Sequence, residues 1–467
     1  MPTVVPVRGS DDPKVVRTGG IDRRIAILTL LPLAVLVVLV FTCGVDIPFY
    51  DAWDFLPIID KSLHHTLTFA ELADADNGHR ILMPRLIRLT LIHFNGWNIF
   101  HELLVNIVVE VGLFLVLAWQ IRRTFSSFPR GRWIYALPVL SMIVFSLTQW
   151  LSWLDGGGIA IFLNVFAVVA GIVLLAQPNV RAWQVGVAAV LGLCAAYSFA
   201  NGLLFWWIGL GLLAVGPDRK RMRGWAAAWG ILSLAVWVGY LQGYRGAASA
   251  PGSHTNAAVR LAKYIAYVPT YLGGLPAAIQ KPPLAPLGLV AGLCGLVIFV
   301  GLGWRLLRNN RVGYRAIAPY LALGSYSIAS ALLTAVARSS EFGYTQALAS
   351  RYTTITMLLW ISNLVFLRLS MEAATDSTPG LAKPTAQNLR RCYNVVVTVL
   401  LLGTLANVYS FYHFHRRLGE CRDRLIAGET DYTKLTFMFP YPERFQERLD
   451  LLKKDHLSIY RDTQSAK

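Results

Sequence analysis

Residues 25–43 read IAILTLLPLAVLVVLVFTC, with no charged side chain between Arg24 and Asp46. A run of that length and apolarity matches the roughly 20 residues a helix needs to cross bilayer hydrocarbon. It follows a basic stretch holding Lys14, Arg17, Arg23 and Arg24, is longer than a usual signal-peptide core, and lacks a small-residue cleavage site. These features predict an uncleaved signal anchor.

Ten further apolar runs follow the first: 100–121, 134–149, 159–175, 183–199, 203–215, 225–242, 287–307, 316–336, 353–369 and 393–409. The expectation is an all-α polytopic membrane protein of about eleven transmembrane helices, the fifth and sixth forming a short hairpin. Composition leads the same way. Of 467 residues, 55% are hydrophobic and only 15% charged, with a mean hydropathy of +0.49, too little polar surface to enclose a soluble core. Unpaired backbone groups are costly in lipid, so only helices or a closed barrel can span, and strand alternation is missing from these runs.

Lys and Arg total 43 against 26 for Asp and Glu, a net charge of +17. In a soluble protein this would suggest nucleic acid. Here the basic residues cluster beside apolar runs, where they meet anionic headgroups and fix orientation. Arg122, Arg123, Arg130 and Arg132, then Arg219, Lys220, Arg221 and Arg223, then Arg308, Arg311 and Arg315, then Lys383, Arg390 and Arg391 all fall on the side of the N-terminus. By the positive-inside rule that side is cytoplasmic. The expected organisation is a basic cytoplasmic segment 1–24, a multi-span domain 25–410 with a long outer loop 44–98, and an outer, periplasmic C-terminal segment 411–467, in the cytoplasmic (inner) membrane.

The opposite face holds the unusual material. Residues 83–95 set Leu86, Leu89 and Ile92 among Arg85, Arg88 and His93, a pattern for a helix lying in the interface. Residues 258–272 carry Tyr264, Tyr267 and Tyr271, which favour the headgroup region. In the tail, Phe437, Phe439, Tyr441 and the 449–452 stretch are apolar enough to dock back on the loops. Five cysteines, at 43, 194, 294, 392 and 421, lack the spacing of a zinc site or disulfide framework. Cys43 and Cys421 share the outer side, where they either pair or pack separately.

Candidate chemistry concentrates on that face. Asp51 and Asp54, among Tyr50, Trp53 and Phe55, suit a general base in a low-dielectric site; the alternative is a helix cap and a solvated acid. Asn77-Gly78-His79-Arg80 with Arg85 and Arg88 suits phosphate recognition, Arg offering a bidentate fork; the alternative is a turn before an interfacial helix. Arg338 and Arg351 bracket a short polar segment with Glu341, Gln346 and Tyr352, and two arginines there call for an anion or a carboxylate. Glu102, Asn106 and Glu110 share one face of the second span, either as a polar path or with Glu102 belonging to the site and Glu110 bonding a neighbouring helix. Asn201 lies at a hairpin tip, and Asp155-Gly156-Gly157-Gly158 is flexible enough to cradle a ligand. The sequence contains no Walker motif, HExxH, nucleophile elbow, dinucleotide fingerprint or internal repeat.

Five segments carry a wider likeness: Asp51-Ala52-Trp53-Asp54; Asn77-Gly78-His79-Arg80 with Pro84-Arg85; Ser198-Phe199-Ala200-Asn201-Gly202; Ser350-Arg351-Tyr352; and Asp455-His456-Leu457-Ser458-Ile459-Tyr460. With the early acidic pair in a long outer loop and the polar outer tail, the layout resembles the GT-C superfamily of bacterial membrane glycosyltransferases. That resemblance implies an inverting hexosyl- or pentosyltransferase for cell-envelope polysaccharide biosynthesis, moving a sugar from a polyprenyl-phosphate donor to a glycan, lipid or protein acceptor. Asp54 or Asp51 would be the base. His79, Arg80, Arg85, Arg338, Arg351, Tyr352 and Asn201 would hold substrate or phosphate, supported by Glu102 and Gln346. No cofactor or metal is required, although the carboxylates could recruit a divalent cation. The acids here stand three apart where the superfamily often has an adjacent pair, and no acid lies between Gly243 and Pro286. The rival readings are a transporter or flippase of a lipid-linked sugar, a polysaccharide polymerase or ligase, and a non-catalytic assembly subunit.

Overall fold

Nine helical segments among the described residues, the third of them interrupted, are long and apolar enough to cross a membrane: Arg23–Cys43, Ile99–Phe125, Ile134–Leu154, Gly156–Leu175, Lys220–Leu241, Ala285–Leu307, Tyr314–Ser339, Ser350–Ala374 and Pro384–Ile426. Two shorter apolar helices, Ala182–Ala196 and Ala200–Ala214, coincide with the expected short hairpin. The computed structural model describes residues 22–75, 79–126, 133–215, 219–242, 257–277, 283, 285–309, 312–375, 382–429 and 431–464, and among them there is no β-strand. Asn77, Gly78, Arg130, Arg132 and Arg311 of the sequence reading lie outside these residues, as do the side chains of Glu341 and Lys383. The protein is an all-α polytopic membrane protein.

The third apolar run does not form one helix. It breaks into short turns, 134–136 and 147–149, and short helices, 137–144 and 150–154. Ser146 takes an extended conformation, its hydroxyl accepting from the Thr148 N–H. The backbone this frees is bonded by side chains: Gln149 Nε2 donates to Val144 O, Trp153 Nε1 to Ser146 O, and Ser350 Oγ to Thr148 O. Irregular backbone at such a place is tolerable because residues 140–149 are buried within protein.

The segment Ala257–Leu272 departs from the interfacial expectation. Tyr267 and Tyr271 are fully buried, not at a headgroup surface. The cause is close helix crossing: a Cβ on Gly273 would stand 1.8 Å from Gly288 O, and one on Gly292 1.8 Å from Pro269 O. Glycine removes that barrier, and the helix packs into the bundle.

The last long helix continues past the expected boundary, from Ala382–Ala406 into the amphipathic Val408–Ile426, and the chain then folds back. Phe437 packs on Phe49, Phe439 and Phe445 on Trp53, and Tyr50 N–H donates to Met438 O. All five cysteines are free; Cys43 and Cys421 are separate buried thiols, with Cys421 Sγ against Lys434 O.

The helices are polar at opposite ends in different ways. Ile99–Phe125 has Glu102 in its first turn and Arg122 and Arg123 in its last, roughly 30 Å away. Tyr314–Phe342 begins beside Arg315 and carries Arg338 near its end, and Ser350–Thr375 begins at Arg351 and carries Arg368 near its end. At the basic end, Arg122 lies over Trp133, Arg123 over Trp119 and Arg308 over Trp304, the aromatic and cationic anchoring typical of a membrane interface.

Candidate functional site

At the other end of the bundle a cavity of about 290 Å³ opens. Its floor and walls come from segments far apart in sequence: the turn Tyr50–Phe55, His79, the helix Leu82–Asn95, residues 151–161, the turn after Ala196, and the facing ends of Tyr314–Phe342 and Ser350–Thr375.

Asp51 enters the wall on a single 3₁₀ turn. Trp53 Nε1 donates to Pro48 O, which fixes the indole beneath it, and Phe55 presents its ring to the cavity. Asp155 enters by a different device. Its Oδ1 accepts the Gly157 N–H at 3.0 Å, capping the turn that starts the next span. The glycines that follow are required by close approach: a Cβ on Gly156 would stand 1.7 Å from Glu102 Oε2, and one on Gly158 2.1 Å from Ser152 O. Burial pushes the Asp155 carboxyl up to about 7; Asp51 and Glu102 add to the rise, while the Gly157 N–H and Arg88 oppose it.

The cavity wall also includes one member of a buried ion pair. Arg88 Nε donates to Glu102 Oε1 at 2.9 Å, with 6% of Arg88 and none of Glu102 exposed. Arg88 is sandwiched, its guanidinium 4.7 Å from the Phe55 ring centre and 5.6 Å from that of Trp97.

Arg338, Arg351 and Tyr352 also line the cavity, Arg351 near enough to Asp51 and Asp155 to interact with their charges. The His79 ring stacks on Phe199 at 4.6 Å. Burial, then the charges of Arg338 and Arg351, push its imidazole down to about 4, so it is neutral at pH 7. Tyr352 is held from behind by Gln346, whose Nε2 donates to the phenol while its Oε1 accepts from Tyr267.

Four buried polar atoms on residues lining the cavity lack a hydrogen-bond partner among the described residues: His79 Nδ1, Arg88 Nη2, Ser152 Oγ and Asn201 Nδ2. Each such group costs free energy unless something else satisfies it. All four belong to residues of one cavity, which makes it the candidate site for a polar ligand.

Of the residues singled out in the sequence, the structure brings together Asp51, His79, Arg338, Arg351, Tyr352 and Asn201 in the wall, with Glu102 and Gln346 directly behind it. It places three others elsewhere. Asp54 faces the C-terminal segment, with Arg444 Nη1 at 2.9 Å and Arg448 Nε at 3.6 Å. Arg80 donates to the carbonyls of Tyr240, Ala73 and Gln242, and Arg85 to those of Leu72 and Asp74, so both brace loops. Two further wall residues are Arg88, which the sequence groups with His79 as a candidate for phosphate and which here pairs with Glu102, and Asp155, which the sequence offers only within a flexible cradle. An acid followed by three glycines at a helix start was the available signal for Asp155. The chain matches no protein-family model and no curated protein sequence.

Proposed function

We propose that the protein is a membrane glycosyltransferase that moves a sugar, with inversion, from a polyprenyl-phosphate carrier to an acceptor hydroxyl on a glycan, lipid or protein. The observation that carries this reading is a single cavity with carboxylates, Asp51 and Asp155, and guanidinium groups, Arg338 and Arg351. The reaction needs both. The acceptor oxygen forms a bond to the anomeric carbon while its proton passes to a carboxylate, for which Asp51 is the residue proposed. The bond from that carbon to the phosphate oxygen breaks, and the electron pair leaves with the phosphate, whose growing charge the arginines offset. The apolar wall residues Ile81, Leu333 and Ala337 suit the first units of a lipid carrier. The likeness of the motif layout to the GT-C superfamily supports the same reading, which uses no metal.

In this proposal the protein lies in the cytoplasmic membrane, with the basic ends of its helices and its N-terminus toward the cytoplasm, and the cavity and C-terminal segment on the outer face.

A transporter of a lipid-linked sugar is the second reading. It is favoured by Glu110, fully buried within a membrane-spanning helix, both of whose carboxylate oxygens lack a hydrogen-bond partner among the described residues.

The test compares cells lacking the protein with cells restored by wild type, Asp51→Asn or Arg351→Ala at matched membrane levels. Glycosyl transfer requires that the variants leave a surface sugar missing while its polyprenyl-phosphate donor accumulates. Full restoration by both variants would sink the proposal.

A further inference from the structure

Three acids of the first loop, Asp46, Asp54 and Asp60, pair with bases of the C-terminal segment. Arg444 and Arg448 meet Asp54, Lys454 Nζ stands 2.6 Å from Asp60 Oδ1, and Arg461 Nη2 stands 2.6 Å from Asp46 Oδ2. The pairing brackets the turn that carries Asp51. On one side Tyr50 donates its N–H to Met438 O at 2.8 Å and holds φ at +49°, a left-handed conformation that a bulky non-glycine residue adopts only when its surroundings impose it. On the other side Asp54, three residues after Asp51, accepts from Arg444 Nη1 at 2.9 Å and has Arg448 Nε beside it at 3.6 Å, an ion-pair contact from the same helix Pro442–Lys454. Trp53, between them, is fully buried against Phe439 and Phe445 of the same segment. A 3₁₀ turn has poor internal hydrogen bonding and little rigidity of its own, so these outside contacts determine where Asp51 points.

We propose that Arg448 and Arg444 are positioning residues: through Asp54 they lock the Tyr50–Phe55 turn and so aim the Asp51 carboxylate into the cavity. The inference rests on Asp51 being the acceptor's base, and it adds a requirement that reading does not contain. The C-terminal segment contributes no residue to the cavity wall among those described, yet turnover depends on its being docked.

The experiment uses the full chain in lipid nanodiscs. Amide hydrogen exchange over residues 50–55 is measured beside transfer from the polyprenyl-phosphate-linked sugar that accumulates in cells lacking the protein. Variants are Arg448→Ala, Arg448→Lys, Asp54→Asn and Asp51→Asn, with Arg444→Ala as a milder change, since the Arg444 side chain is 38% exposed. The expected result is faster exchange at residues 50–55 in Arg448→Ala and Asp54→Asn, with kcat lowered at least tenfold, KM within twofold of wild type, and partial recovery in Arg448→Lys. Arg444→Ala should show the same pattern more weakly. Faster exchange with unchanged kcat would overturn the positioning role and leave glycosyl transfer standing, as would unchanged exchange. A fully active Asp51→Asn would remove the underlying reading instead.

Discussion

Arg88 Nε stands 2.9 Å from Glu102 Oε1, and the same oxygen accepts the Trp97 indole N–H at 2.7 Å. Both charges are out of solvent, so removing either leaves the other uncompensated in a low-dielectric interior. Arg88→Ala or Glu102→Ala should each cost about 3–5 kcal/mol of stability. Replacing both, as Arg88→Met with Glu102→Leu, should cost less than either single change. Thermal unfolding in detergent measures this, and additive losses would show that the two groups are not coupled.

Asp155 and His79 give stability opposite pH dependences. An unfolded aspartate loses its proton near 3.8, but the half-buried, desolvated Asp155 keeps it to about 7, so this group withdraws stability as pH rises across that window. An unfolded histidine gains a proton near 6.5, but the half-buried, desolvated His79 refuses it to about 4, so this group withdraws stability as pH falls from 6.5 toward 4. Asp155→Asn should flatten the first slope and His79→Gln the second, read as melting temperature against pH.

Arg338 and Arg351 both line the cavity, and both are assigned to the leaving phosphate. Arg351→Ala should lower transfer by about 10²–10³-fold, the loss typical of one electrostatic donor at a developing charge. Arg351→Lys should recover only part of this, because an ammonium lacks the planar fork. Equal activity of Arg351→Lys and wild type in a purified transfer assay would argue against bidentate phosphate contact.

Two of the three glycines after Asp155, Gly156 and Gly158, are predicted to differ from an unconstrained glycine elsewhere. An alanine Cβ at Gly158 would press on the Ser152 carbonyl at 2.1 Å and Asn106 Nδ2 at 2.9 Å, so Gly158→Ala should destabilise the protein and displace Asp155. Gly186, inside Ala182–Ala196, has nothing within 4 Å of such a Cβ. Gly186→Ala should raise stability by about 0.5–1 kcal/mol. Melting temperatures of the two variants should therefore move in opposite directions.

What the sequence made legible follows from the range of the forces involved. Helices such as Arg23–Cys43 and Ala285–Leu307 announce themselves because hydrophobic transfer is local to the run and needs no partner. Arg338, Arg351 and Tyr352 could be placed near a site because a cation between two spans has few tolerable surroundings. The role of Asp54 was not legible: its partners Arg444 and Arg448 lie about 390 residues away, and nothing local separates it from Asp51. Nor does the sequence show that Arg80 and Arg85 donate to backbone carbonyls. A guanidinium that braces backbone carbonyls and one that awaits phosphate have the same sequence. Tyr267 and Tyr271 were assigned to the headgroup region because aromatic composition was weighed without Gly288 and Gly292, which let another helix cover them.

The docked C-terminal segment also constrains how often the chain crosses the bilayer. Arg444 reaches Asp54 across 390 residues, and the two side chains can touch only if both stand on the same side. The intervening chain must therefore cross an even number of times. Eight of the nine long helices, Ile99–Phe125 through Pro384–Ile426, begin between them, and the short pair Ala182–Ala196 and Ala200–Ala214 preserves the parity if both cross or neither does. If those eight helices all cross and Ala257–Leu272 does not, the ion pair requires the two short helices either both to traverse the membrane or both to stay on one side of it.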